Sequence, residues 1–417
     1  MKRIFTLGFI SLTLIFSTYQ TTLASAVTKL EPNIQQLLNN YLVTTGKKEQ
    51  VTGVAVSVFM PSETGSLKGS INSYFSGTIG RPPYTASITK NNLFEIGSIT
   101  KSFTSAIILQ LEAEGKLSVN DNLGKWLPQY PNWKSVTIKQ LLNMTSGIPN
   151  YSTNEAFYKA AASANFKKQW SNEELLKWAY PDKPLAAGKH FNYSNSNYIL
   201  ASLIIEKVTN MPFAEVLKER ILIPFQLKNT FYAAGKNADA IYQQLMPRMV
   251  HGYFYDKDKK EIMDATGNNL TWAGAAGAII SDTIDVVRWV QILYHGELFN
   301  NNQRKLALTE LMEVISTQSG QAIPTVSQEE PNGFGLGAVY IFDKETKNRY
   351  WSYKGSTLGY RVMYLFSPCN NITVAVALNN KAGEGEVNSP MGDAIKPLSL
   401  AIYKAIINAY PSYSCKN

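Results

Sequence analysis

Strand-forming segments lie at both ends of this 417-residue chain and helix-forming ones fill its middle, so the two ends must meet if the strands are to share a sheet. Val54-Ala55-Val56-Ser57-Val58-Phe59 is short, apolar and β-branched, as a buried strand must be, and residues 74–80 follow at hairpin distance. Residues 336–342, 350–353, 360–366 and 372–378 are rich in aromatic and β-branched side chains. Residues 98–276 carry helical patterning punctuated by Pro128, Pro131, Pro149, Pro184, Pro212 and Pro224, and further helices are expected at 285–294 and 392–409. The expected fold is α/β (α+β): an antiparallel sheet built from N- and C-terminal segments, flanked by helices, with a mostly helical inserted lobe. The first lobe takes residues 27–105 and 280–417, the second 106–279, and a cleft between lobes is where ligand sites concentrate.

The first residues are of another kind. Met1-Lys2-Arg3 is basic, residues 4–16 are apolar, and Ala24-Ser25-Ala26 is an A-x-A pattern of small residues. This is the pattern of a secretory signal peptide spanning 1–26, cut after Ala26 or, as second choice, Ala24. The apolar run is too short to span a membrane well and no longer one follows, so an exported protein, periplasmic or secreted and without a transmembrane anchor, is expected.

An exported chain with only Cys369 and Cys415 has one candidate disulfide, which would pin the C-terminal tail to a strand; two free thiols are the alternative. The formal charge of +9 reads first as a solubility charge with no dedicated partner and second as suited to anionic neighbours such as envelope polymers or lipid head groups; without a dense Lys/Arg run it does not point to nucleic acid. His190, His251 and His295 are scattered, which supports neither a metal site nor any cofactor. A monomer is expected.

The chemistry concentrates in Phe94-Glu95-Ile96-Gly97-Ser98-Ile99-Thr100-Lys101-Ser102-Phe103. Ser98 and Lys101 stand three apart at the start of a helix that runs to about Glu114 and stops at Gly115, so they share a face. A serine hydroxyl is a weak nucleophile until a neighbouring base takes its proton, and a lysine amine removed from water is such a base. The helix start also offers free N–H groups to an oxygen turning negative. The same four letters occur at Ser87-Ile88-Thr89-Lys90, but no helical periodicity follows, and that copy is expected in an exposed loop. Alone, the pattern reads more readily as a helix cap with a solvated lysine one turn on.

A second polar cluster, Tyr193-Ser194-Asn195, precedes another helix at 199–208. Its phenol can relay a proton and its amide can hold a substrate carbonyl. With these two clusters in order, the chain resembles the serine β-lactamase and penicillin-recognising family, in the branch of class C β-lactamases, soluble D-alanyl-D-alanine carboxypeptidases and related esterases and D-amino-acid peptidases. Residues 115–128, Leu141-Leu142-Asn143-Met144-Thr145-Ser146-Gly147, Ile223-Pro224-Phe225 and Gly274-Ala275-Ala276-Gly277 extend the resemblance over about residues 51–380.

The resemblance implies a β-lactamase/transpeptidase-like fold, with Ser98 as nucleophile, Lys101 as general base and Tyr193 as general acid and base. Substrate-binding positions would be Asn195, Tyr353, Lys354, Gly355 and Ser356, with the Ser98 and Ser356 main-chain N–H groups as the oxyanion hole. The third family motif is a lysine or histidine, a variable residue and a glycine; here it reads Tyr353-Lys354-Gly355, fixed in register by Gly359-Tyr360. Tyr353 takes the basic position. Lys354, pointing to the opposite face of the strand, cannot simply restore the charge. Met144 replaces a frequent histidine and Ala187-Gly188 a usual Pro-Gly; both read as structural.

The implied activity is hydrolysis of a peptide or amide through an acyl-enzyme, of the D-alanyl-D-alanine carboxypeptidase or D-amino-acid peptidase type. A class C-like β-lactamase and an esterase are the near alternatives, and a non-catalytic penicillin-binding-like protein the distant one. Partners would be a small peptide, β-lactam or ester, cell-wall peptide included. No G-x-S-x-G occurs, which disfavours a Ser-His-Asp hydrolase.

Overall fold

A computed structural model describes residues 30–63, 66–164, 166–256, 259–381 and 392–415. The signal-peptide reading of 1–26 lies outside these residues. Among the described residues, no helix is long and apolar enough to cross a membrane.

The two chain ends do meet in one sheet. In chain order the strands are β1 (Gly53–Pro61), β2 (Gly69–Gly77), β3 (Phe94–Glu95), β4 (Phe231–Tyr232), β5 (Tyr253–Asp256), β6 (Glu261–Asp264), β7 (Ile279–Ser281), β8 (Val314–Ser316), β9 (Ala322–Ile323), β10 (Asn332–Phe334), β11 (Val339–Phe342), β12 (Arg349–Ser356), β13 (Arg361–Ser367) and β14 (Ile372–Leu378). A nine-stranded antiparallel sheet runs β2-β1-β14-β13-β12-β11-β10-β8-β9. β1 pairs with β14 from Val54 opposite Leu378 to Phe59 opposite Thr373, so residues more than three hundred positions apart close the architecture.

Side-chain alternation sorts the sheet's two faces. Val54, Val56 and Val58 of β1, Met363 and Leu365 of β13 and Val374 and Val376 of β14 pack under helix α1 (residues 30–41) and the C-terminal helix Ile395–Ala409. α1 meets them with Leu30, Ile34, Leu38 and Tyr41, a stripe at helical spacing. The opposite face, with Ala55, Phe59, Val362, Tyr364, Ala375 and Ala377, packs against helices α2 (Thr100–Ala113) and α3 (Thr283–His295). Burial on both faces explains why these strands read as continuous apolar runs.

The middle of the chain is not helical throughout. β4 joins β3 and β7 in a small sheet, and β5–β6 is a separate hairpin. Beyond α3, the short strands β8, β9 and β10 extend the main sheet. These segments are two to four residues long, below the length at which alternation can be read. Cys369, in the β13–β14 turn, is disulfide-bonded to Cys415, with Cα atoms 5.8 Å apart.

A buried ion network joins the chain ends behind β12. Arg361 is 0 % exposed and Glu49 1 % exposed. Glu49 accepts from Arg361 Nη2 (2.9 Å), from Tyr41 Oη (2.7 Å) and from the Ala394 amide (2.7 Å), while Arg361 Nη1 meets Asp393 at 2.9 Å. Removing Glu49 leaves Arg361 with Asp393 as its remaining carboxylate and strands the Tyr41 hydroxyl and the Ala394 amide without an acceptor. Glu49→Ala is therefore expected to cost about 2–4 kcal/mol of folding stability, read as a lowered urea midpoint; an unchanged midpoint would show that Asp393 alone satisfies Arg361.

Candidate active site

The site begins where the small sheet hands the chain to α2. β3 ends at Glu95, Gly97–Ile99 form one turn of 3-10 helix, and α2 starts at Thr100. Gly97 has φ +51°, and a Cβ there would lie 2.6 Å from the Ser356 amide nitrogen. At Gly355 a Cβ would meet the Ile96 carbonyl oxygen at 1.8 Å. Two glycines thus let the end of β12 press against the start of the helix. The Ser356 amide nitrogen thus stands beside Gly97, and the Ser98 amide nitrogen beside Gly355, 2.9 Å from where a Cβ would be.

Lys101 follows Ser98 one turn later and is 0 % exposed. Its Nζ lies 3.0 Å from Ser98 Oγ and donates to the Ala276 carbonyl at 2.7 Å. The amine also lies 5.0 Å from the Tyr193 ring centre and 5.5 Å from that of Tyr198, whose hydroxyl is fixed by the Leu142 carbonyl at 2.7 Å. Burial pulls the Lys101 amine below the ordinary lysine range, and the neighbouring Tyr193 opposes that pull.

Tyr193 comes from the loop before the helix Ser196–Thr209, and its Oη lies 2.8 Å from Ser98 Oγ. Burial pushes its phenol up, but the Lys101 charge and the hydrogen bonds to Lys101, Ser98 and Tyr353 outweigh that and lower it. The serine hydroxyl, the amine and the phenol form a closed proton-exchange group, and Ser98 and Tyr193 both keep some contact with solvent.

Asn195 lies beside this group. Its Nδ2 donates to Ser152 Oγ at 2.8 Å, and Asn150 Oδ1 accepts from the Asn195 amide at 3.1 Å. The Asn195 Oδ1 is buried without a hydrogen-bond partner among the described residues.

Tyr353 and Lys354 part company. Tyr353 is 2 % exposed and its Oη stands 3.2 Å from Tyr193 Oη, whereas Lys354 Nζ pairs with Asp393 at 2.6 Å on the other face of the sheet. The expectation that Lys354 binds substrate is corrected: strand alternation carries its side chain into the Glu49–Arg361–Asp393 network. The other Ser-x-x-Lys copy lies in a loop with Ser87, Thr89 and Lys90 exposed.

Three contributors carried no role in the sequence reading: the Ala276 carbonyl, Tyr198 and Phe334. The small residues of Gly274-Ala275-Ala276-Gly277 were the available sign of close packing around a main-chain group. Phe334 lies edge-on to both Tyr193 and Tyr353, with ring centres 6.4 and 6.0 Å away. Among the described residues no cluster of three or more His, Cys, Asp or Glu side chains is placed to hold a metal ion.

A model of the family described as Beta-lactamase matches residues 39–391. Penicillin-binding protein 4* of Bacillus subtilis (strain 168) is 28 % identical over 353 residues, covering 81 % of this chain and 70 % of that protein. Protein flp of Staphylococcus aureus (strain MW2) is 37 % identical over 144 residues, only 28 % of its own length. Among solved structures, the D-amino acid amidase from Ochrobactrum anthropi SV3 complexed with L-phenylalanine amide superposes with a TM-score of 0.72 at 21 % identity, covering 91 % of this chain and 99 % of that one. The D-stereospecific amidohydrolase from Streptomyces sp. gives 0.69 at 24 % identity, with 90 % and 98 % covered. At these identities the two superpositions establish the β-lactamase/transpeptidase-like fold.

Glu95, three residues before Ser98, is a buried carboxyl that accepts from Tyr242 Oη at 2.7 Å, and burial raises its pKa to about 7. Between the unperturbed value of 4.5 and about 7 the folded protein keeps a proton that the unfolded chain gives up, so stability falls as pH rises through that window. Glu95→Gln keeps an acceptor for Tyr242 and removes the charge. It is expected to raise stability by up to about 3 kcal/mol at pH 8 and by almost nothing at pH 4. Urea midpoints at the two pH values check this; an equal change at both would remove ionisation as the cause.

Proposed function

The chain belongs to the β-lactamase family, as a serine hydrolase of the β-lactamase and penicillin-binding-protein group, and on that premise we propose that Ser98 is its nucleophile in acyl transfer to water. One observation carries the reading: Ser98 Oγ lies 3.0 Å from a buried amine and 2.8 Å from a phenol, and is still reachable from solvent.

Ser98 Oγ attacks the substrate carbonyl carbon while its proton passes to the Lys101–Tyr193 pair. The carbonyl oxygen, now negative, is held by the main-chain N–H groups of Ser98 and Ser356. As the tetrahedral species collapses, the bond to the leaving nitrogen or oxygen breaks and that atom takes the proton from Tyr193. Water then attacks the acylated serine, giving one proton to the same pair. The acid departs and Ser98 regains its hydrogen. Asn195, fixed through Ser152, orients the substrate amide.

The substrate class we favour is a peptide or amide of a D-amino acid, in the manner of a D-alanyl-D-alanine carboxypeptidase or D-amino-acid peptidase. The names of the penicillin-binding protein and of the D-amino acid amidase support it. The basic, apolar, small-residue order of residues 1–26 supports export, where cell-wall peptide would be the encountered substrate. Ester hydrolysis is the second reading, favoured by the absence of a cation at Tyr353.

Incubation with N-acetyl-D-alanine p-nitrophenyl ester is expected to leave an acyl label, read by intact mass, that Ser98→Ala abolishes. A label surviving that change would remove Ser98 as nucleophile. Lys101→Arg, whose guanidinium cannot give up its proton, is expected to lower the acylation rate by about 10³-fold. In the unaltered protein kcat/KM should fall with pH as the Lys101–Tyr193 pair takes up a proton, along an acid limb centred below the ordinary lysine range; a limb at the ordinary lysine value would contradict the buried-base account.

A further inference from the structure

We infer that the leaving-group side of the cleft accepts a neutral amide or ester end and turns away a free carboxylate, with Tyr353 as the residue that decides. The inference rests on the acyl-transfer reading above and narrows its substrate class to D-amino-acid amides, internal peptide bonds and esters, setting aside the carboxypeptidase manner, in which the leaving D-alanine ends in a free carboxylate.

The leaving atom must come within hydrogen-bond reach of Tyr193 Oη to collect its proton. Tyr353 Oη lies 3.2 Å from that same atom, so the groups following the leaving atom meet this end of β12. The two side chains set against Tyr193 there, Tyr353 and Phe334, are aromatic and uncharged. Phe334 backs both phenols and is itself packed by Phe191, with ring centres 5.5 Å apart.

Among the described residues, the two lysines next in the chain to Ser98 and Tyr353 are engaged elsewhere. Lys101 is wholly buried beneath Ser98, held by Ser98 Oγ and the Ala276 carbonyl. Lys354, one residue along the strand, faces away and is paired with Asp393, which Arg361 also engages. The remaining group, Tyr353, is a phenol whose burial, reinforced by the Tyr193 charge, raises it well above the usual tyrosine range and keeps it neutral.

A carboxylate brought within reach of Tyr193 and the nearly buried Tyr353 hydroxyl would shed water without an opposite charge from Lys101 or Lys354 to replace it. It would also approach Tyr193, the phenol most ready to become negative. A carboxamide or ester end carries no charge to desolvate, and its carbonyl can accept from a phenol hydroxyl.

The test uses donors with one common acyl group: N-acetyl-D-alanyl-D-alanine, its C-terminal amide, and N-acetyl-D-alanine p-nitrophenyl ester. The expected kcat/KM is at least tenfold higher for the amide than for the free carboxylate. Tyr353→His and Tyr353→Lys, assayed from pH 6 to 8, should shift that ratio at least tenfold toward the carboxylate. Tyr353→Phe, which keeps the ring and its packing, should leave the ratio on the neutral side.

A native enzyme that takes carboxylate and amide equally, or prefers the carboxylate, overturns the inference, as does a ratio that neither cationic variant moves. The p-nitrophenyl ester distinguishes this from failure of the underlying chemistry. An acyl adduct on Ser98 by intact mass, with no discrimination between the two peptides, removes only the leaving-group inference; no adduct and no turnover of any donor removes acyl transfer and the inference with it.

Discussion

Everything at this site depends on the contact between the turn at Gly97 and the strand at Gly355. Side chains on either glycine would overlap main-chain atoms of the other segment, so the approach exists only because both positions lack a Cβ. It links a helix start to an inner strand of the main sheet. β12 is held by β11 and β13, and β13 by β14, which pairs with β1. Long-range strand pairing therefore sets where the Ser356 amide stands against the turn before Ser98, and the geometry around Ser98 is braced by a nine-stranded sheet.

That rigidity makes a buried lysine useful. An amine kept from water loses the hydration that holds its proton, and in Lys101 this desolvation is the largest influence. Left uncompensated it would displace the side chain toward solvent. The Ala276 carbonyl, the Ser98 hydroxyl and the faces of Tyr193 and Tyr198 supply enough polarity to keep the amine in place without pairing it to a carboxylate. A carboxylate partner would raise its proton affinity and spoil it as a base. Behind the same strand, the opposite solution is used: Arg361 meets two carboxylates, stays charged, and ties the chain ends together. Two buried cations serve different ends because one has acids around it and the other does not.

Much of this was legible in the residues. The apolar runs of β1, β12, β13 and β14 and the helix after Ser98 could be read from period alone, and strand alternation was enough to turn Lys354 away from Tyr353. Its pairing with Asp393 could not be read, because nothing local connects residues 354 and 393. The strands β4 to β10 are too short for period to register, and several are held by partners rather than by their own composition. The Ala276 carbonyl was hidden for a different reason. It is a main-chain group, so no residue type announces it, and only the small side chains around it record that something packs closely there.

The two Ser-x-x-Lys segments show what the letters alone are worth. Ser87 and Lys90 have the same types and spacing as Ser98 and Lys101, yet their chain turns, with Asn92 Oδ1 accepting from the Thr89 amide, and leaves Lys90 in water. Between them only Ile88 is buried. At the second copy Ile96, Ile99 and Phe103 are buried around the pair, so the helix is drawn into the core and Lys101 goes with it. The apolar neighbours therefore strip water from the amine and weaken its hold on its proton, which is what the proposed role of Lys101 as the base for Ser98 requires.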